Sequence, residues 1–254
     1  MHSILFITSC LAASTVAAPV FSNLYDFSDD VAEYLGRVSR HISRVEDVFD
    51  NSLSCDPSTI TLPSFASGLP GPTDGQRPLY VALGRGTQNY TCATSTSDSE
   101  PVAVGAVARL YNATCYAANF PDMIELLPAI AYRMRLPATE SAPMAPANIN
   151  LIGHHFFEGK VPVFNLDTTP QRQLGIAKVK KDADLPAPDT AIQGADGAVA
   201  WLYLSALDSA NGTVGRFTGV YRVDTAGGSP PKTCEGLDEE FTVEYAANYY
   251  IYGQ

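Results

Sequence analysis

The chain has 254 residues, 46% hydrophobic and 17% charged, which is enough for one large domain or two small ones with a core of their own. Lys and Arg number 16 against 27 Asp and Glu, a formal net charge of −11. That balance excludes nucleic acid and anionic membrane surfaces as expected partners, because both need a basic footprint, and the low charge density excludes wholesale disorder.

The chain opens on an apolar run from Ile4 to Ala13 followed by small residues, the layout of a secretory signal peptide cleaved after Ala17. No later run reaches the ~18 apolar residues of a membrane span, so the expected mature protein is secreted and extracellular. The expected organisation is a signal peptide over 1–17, an N-terminal helical segment over 18–60 and a β-rich domain over 61–254. Between Ser28 and Phe49 the apolar residues Val31, Leu35, Val38, Ile42, Val45 and Phe49 recur at helical spacing, with Ser28 as cap and Asp29 and Asp30 in the first turn. This predicts an amphipathic helix with Arg37, Arg40 and Arg44 on its polar face. Residues 62–78 are dense in Pro and Gly and read as a connector.

Strand signals follow at 79–83, 88–93 and 102–111, with β-branched and aromatic residues bounded by Gly, Ser or Asp. A short helix is expected over 119–127, between Pro121 and Pro128. Further strands are expected at 149–157, 161–166, 174–179, 199–204 and 216–223, with a break over 182–189. The alternation in 216–223 predicts a strand exposed on one face. In the last strand Val243, Tyr245, Ala247, Tyr249 and Ile251 share a face. About nine strands without βαβ alternation point to a mainly β fold, an antiparallel β-sandwich or barrel-like domain.

Removal of the leader takes away Cys10 and leaves Cys55, Cys92, Cys115 and Cys234, an even number in an oxidising compartment. Two disulfides are expected, and three connectivities are open. No pair has the C-x2-4-C spacing of zinc sites. Asn89, Asn112 and Asn211 begin N-x-[ST] sequons and are the candidate glycosylation sites, with Asn211 on an expected turn.

Gly84-Arg85-Gly86 after a strand suggests nucleotide binding, but no third glycine or helix follows, so no dinucleotide cofactor is expected. His154 and His155 are adjacent, and neighbours in a strand point to opposite faces, so no metal site is expected either. No G-x-S-x-G is present, which leaves His155 as the base for any acid–base chemistry. Glu158, Asp167, Asp224 and Glu244 lie at strands or strand ends and supply possible carboxylate partners. Trp201 and the C-terminal tyrosines, among them Tyr250, are candidates for stacking on sugars or flat ligands, although such rings more often fill a core.

Several runs taken together resemble a known family: Val81 to Cys92, Gly153-His154-His155-Phe156-Phe157, Tyr221 to Cys234 with its Thr225-Ala226-Gly227-Gly228 and Pro230-Pro231, and Glu244 to Tyr252. They resemble the secreted family of filamentous fungi and bacteria catalogued as domain of unknown function 3455, over roughly residues 60 to 252. Similar fungal sequences are often labelled malate dehydrogenase. The chain has no βαβ framework for such an enzyme, and that activity is not expected. The resemblance implies pairing of Cys92 with Cys234, which leaves Cys55 with Cys115. It also implies a pocket in which His155 lies with Arg85, Asp224 or Trp201. The expected function is a secreted, disulfide-bonded, glycosylated protein that binds a small ligand or a cell-wall polysaccharide. The competing expectation is a hydrolase of polysaccharides or esters using His155 with Glu158 or Asp224.

Overall fold

The computed structural model of the chain describes residues 55–145, 147, 149–169 and 172–254. The expected signal peptide and amphipathic helix lie outside them. Eight strands are seen among the described residues: β1 (Arg77–Thr91), β2 (Val102–Asn112), β3 (Leu151–Glu158), β4 (Val161–Asn165), β5 (Ile176–Leu185), β6 (Trp201–Ala206), β7 (Phe217–Gly227) and β8 (Glu240–Gly253). Each pairs antiparallel with the next, and β8 returns to pair with β1, closing a barrel. Of the two expected architectures, sandwich and barrel-like domain, the chain adopts the barrel and the sandwich is corrected. The long β1 and β8 pair from Arg77↔Gly253 to Thr91↔Glu240, which leaves no free edge between them.

The two runs predicted at 79–83 and 88–93 form the single strand β1, because Gly84-Arg85-Gly86 stays extended between them. Gly84 and Gly86 face inward, and a Cβ at Gly84 would lie 2.4 Å from the Tyr249 ring. With Ala82, Ala106, Ala108 and Ala247 they make room for Tyr245 and Tyr249 inside the barrel, the small-against-large alternation of narrow barrels. The break predicted over 182–189 begins only after Leu185. A register shift between Lys181 and Ala183 carries β5 on to Leu185.

A single helix was expected near 119–127, whereas three short ones follow β2: α1 (Thr114–Asn119), α2 (Pro121–Ile124) and α3 (Leu127–Arg133). Pro121 and Pro128 each stand in a first turn, where the missing N–H costs nothing, so Pro128 starts α3 and does not end a helix. These helices cover one outer face of the barrel. Their Met123, Ile124, Leu127 and Ile130 pack on Val81, Leu83, Val223 and Tyr250, forming an outer core. The inner core holds Leu110, Ile152, Phe164, Val179, Leu204, Val220, Tyr249 and Ile251. Both faces of β7 are thus covered, and the expected exposed face of 216–223 is the barrel interior.

Two disulfides fasten this frame. Cys92–Cys234, 142 residues apart, ties the end of β1 to the β7–β8 connection, and Cys55–Cys115 ties the segment before the barrel to α1. No helix among the described residues is long and apolar enough to cross a membrane.

Candidate ligand cavity in the barrel

Strand register brings inward-facing residues into rings. His155 stands opposite Ala108 on β2 and Phe164 on β4, Gln88 opposite Ala106, and Arg222 opposite Tyr249 on β8 and Leu202 on β6. Together they line a cavity of about 350 Å³, with Phe157, Val179 and Leu204 among its apolar walls. Volume and lining are those of a small-molecule site, mostly apolar with a few placed polar groups.

Those polar groups are unequally satisfied. The His155 ring stacks on Phe164 with centroids 4.2 Å apart, and its Nδ1 lies 2.9 Å from the Val163 carbonyl. A carbonyl only accepts, so Nδ1 carries the proton and Nε2 is left with its lone pair. Burial pulls the imidazole down to about 4, the Val163 bond opposes this and the nearby Arg222 charge adds to it, so the ring is neutral at pH 7. Tyr245 and Tyr249 share a hydroxyl–hydroxyl bond of 2.7 Å, and burial raises both phenols. The Gln88 carboxamide nitrogen is buried without a partner. Arg222 donates from Nε (3.2 Å) and Nη2 (2.8 Å) to the Ala200 carbonyl, meets the Tyr249 hydroxyl, and forms no ion pair among the described residues.

A second concavity of about 530 Å³ lies outside the wall, between Phe65, Glu125, Leu126, Pro188, Trp201 and Asp224. Asp224 sits at a bulge of β7 with φ of 52°, a left-handed backbone that Asp tolerates better than most residues. Its Oδ2 accepts from Asn248 Nδ2 at 2.9 Å. Burial pushes this carboxyl up to about 8, the Asn248 bond opposes, and the Glu125 charge adds to the rise. Trp201 is 3% exposed, its Nε1 unpartnered and its ring set edge-on to Phe65.

Of the residues expected to share a pocket, the fold brings Asp224 and Trp201 together in this outer groove. His155 is on the inner side of the wall. Arg85 is on the outer face of β1 beneath α3, where it binds the carbonyls of Ala131, Tyr132, Gly86 and Tyr245 and the Glu244 carboxylate. Glu158 is exposed and held by Lys178, and Asp167 accepts from the Gly175 amide. No carboxylate among the described residues lines the His155 cavity. Tyr250 is buried in the outer core, so neither it nor Trp201 offers a bare ring to a surface polysaccharide. Asn211 is exposed on its turn, while Asn89 and Asn112 are half-buried in strands. No three His, Cys, Asp or Glu residues gather in a metal-ligating group among the described residues.

Sequence reasoning missed Arg222 and Gln88. Both lie inside the family-like motifs; Gln88 shares its strand face with the inward Gly84 and Gly86, which was a signal, whereas Arg222 shares its face with Thr218 and Val220 and gave none.

No curated protein and no solved structure matches the chain. Residues 9–70 match a family described as Protein of unknown function (DUF2990). Residues 72–253, the whole barrel, match another, and by that match the chain belongs to the family described as Protein of unknown function (DUF3455).

Proposed function

We propose that the protein is a secreted binding protein whose closed barrel holds a small, mainly apolar ligand. The observation that carries this reading is the cavity inside the barrel, in which Arg222 and Gln88 retain unused donors among apolar and aromatic walls. Secretion is supported by the two disulfides, and Asn211 is the sequon best placed to carry a glycan. The test uses a neutral apolar probe. Indole should raise the melting temperature saturably, and Ala106→Met, which adds side-chain volume to the cavity wall, should weaken that effect. Failure of indole to bind at millimolar concentration overturns the reading.

The hydrolase reading draws on a different place. In the outer groove Asp224 is an acid still protonated at pH 7 and Glu125 is a second carboxylate, the division of roles that general acid catalysis requires. Hydrolysis of a chromogenic glycoside or ester that disappears in Asp224→Asn, with the fold intact, would place the activity there.

A further inference from the structure

We infer that the ligand of the barrel cavity is a small apolar monocarboxylate, its carboxylate on Arg222 and Gln88 and its body among Phe157, Phe164, Leu202 and Leu204. The inference rests on the binding-barrel reading and adds the chemistry of the ligand.

Charge is the first argument. Arg222, Lys160, Lys180 and Lys181 are the charged residues that line the cavity, all of them cations, in a chain whose net charge is −11. Lys180 and Lys181 reach the carboxylates of Asp182 and Asp184 at 3.4 and 3.0 Å, so their charge is met nearby. Lys160 is exposed, a position from which it steers an anion toward the opening. Arg222 lies deeper. A guanidinium in a mostly apolar enclosure with no counter-ion among the described residues is costly, and an incoming anion removes that cost.

Donor geometry is the second. Arg222 has five N–H donors; it spends two on the Ala200 carbonyl and also meets the Tyr249 hydroxyl, which still leaves donors for a ligand oxygen. A planar fork matches a carboxylate, and the partnerless Gln88 Nε2 supplies one more donor on the same lining. His155, neutral with its Nδ1 already engaged, adds no second positive charge. One deep cation therefore suits a monoanion better than a phosphate dianion.

Size and wall chemistry are the third. About 350 Å³ is roughly twice the ~150 Å³ that encloses one benzene, so the body is one aromatic ring with a short chain, or an equivalent aliphatic chain. The Phe164 ring, flanked by His155 and Tyr249, favours the aromatic form.

The experiment is calorimetric titration of the full chain with cinnamate, cinnamamide and phenyl phosphate, with indole as the neutral control. Cinnamate should bind at least tenfold tighter than cinnamamide, and phenyl phosphate more weakly than cinnamate. Arg222→Gln should bring cinnamate down to the affinity of cinnamamide. Gln88→Leu should weaken cinnamate several-fold and leave cinnamamide unchanged, which carries the test if Arg222→Gln does not fold. Equal binding of cinnamate and cinnamamide, or an advantage that survives in Arg222→Gln, overturns the carboxylate assignment while indole binding keeps the barrel reading. Tighter binding of phenyl phosphate overturns it in favour of a dianion. Loss of indole binding in the unaltered protein overturns both.

Discussion

Arg85, buried on the outer face of β1, and Arg222, half-buried on the inner face of β7, are satisfied very differently. Arg85 makes five hydrogen bonds, four to carbonyls and one of 2.6 Å to Glu244, and so fastens α3 to the barrel wall. Arg222 gives two to a single carbonyl and has no carboxylate partner among the described residues. A charge whose donors are all used serves the fold; a charge left with free donors beside a cavity is available to something that arrives later. The same wall also separates the two strongly shifted side chains, neutral His155 inside and protonated Asp224 outside.

The largest expected effect is at Arg85. Arg85→Met should cost about 3–5 kcal/mol in denaturant unfolding, since it strands buried carbonyls of α3 and β8. Cavity binding by the folded fraction should be unchanged. Next comes pH. The folded pKa of His155, about 4, lies below its ordinary 6.5, so its contribution is complete above pH 6.5 and is lost as pH falls through about 4, roughly 3 kcal/mol in all. Asp224 has the opposite sign. Its folded value of about 8 lies above the ordinary 3.8, so its contribution is complete below 3.8 and is lost as pH rises through about 8. Between pH 4 and 6.5 the two slopes oppose, and the stability curve should be nearly flat. His155→Gln should expose a fall in melting temperature with rising pH across that window, and Asp224→Asn a rise. A steep window in the unaltered protein would show that the two groups are not both shifted.

Gly84→Ala should cost about 1–3 kcal/mol through its approach to the Tyr249 ring, and should disturb cavity binding because Tyr249 lines the cavity. Smallest is Arg222→Gln, expected within about 1 kcal/mol of the unaltered protein, because it removes a charge that has no carboxylate partner among the described residues and whose hydrogen bonds go to a single carbonyl and a hydroxyl. A large loss there would mean that Arg222 serves the wall as Arg85 does.

Period-two alternation identified the shared face of Tyr245, Ala247, Tyr249 and Ile251, because a strand fixes that relation locally. Whether the strands formed a sandwich or a barrel depended on β1 pairing with β8, a contact between residues 149 to 176 apart that no local pattern encodes. The polar side of 216–223 was read as solvent-facing for a related reason. Arg222 points into a cavity with polar fittings, and alternation alone does not distinguish water outside from a site inside. Arg85 shows how much one position matters: its neighbours Gly84 and Gly86 face inward, so Arg85 faces the helices and is removed from the site in which it was expected. His155 was legible as a buried candidate, but the absence of a carboxylate beside it depended on register across three strands.

The Cys55–Cys115 bond joins two segments that belong to different family matches, one ending at residue 70 and the other beginning at 72. Between them the chain passes through Gly71-Pro72-Thr73-Asp74-Gly75, exposed throughout. An extracellular protease that cut this connector would produce a two-chain molecule, its pieces still joined through sulfur and separable on a gel only after reduction. Maturation by a single nick would then leave the barrel and its cavity in place, with the N-terminal unit retained as a covalently attached second chain.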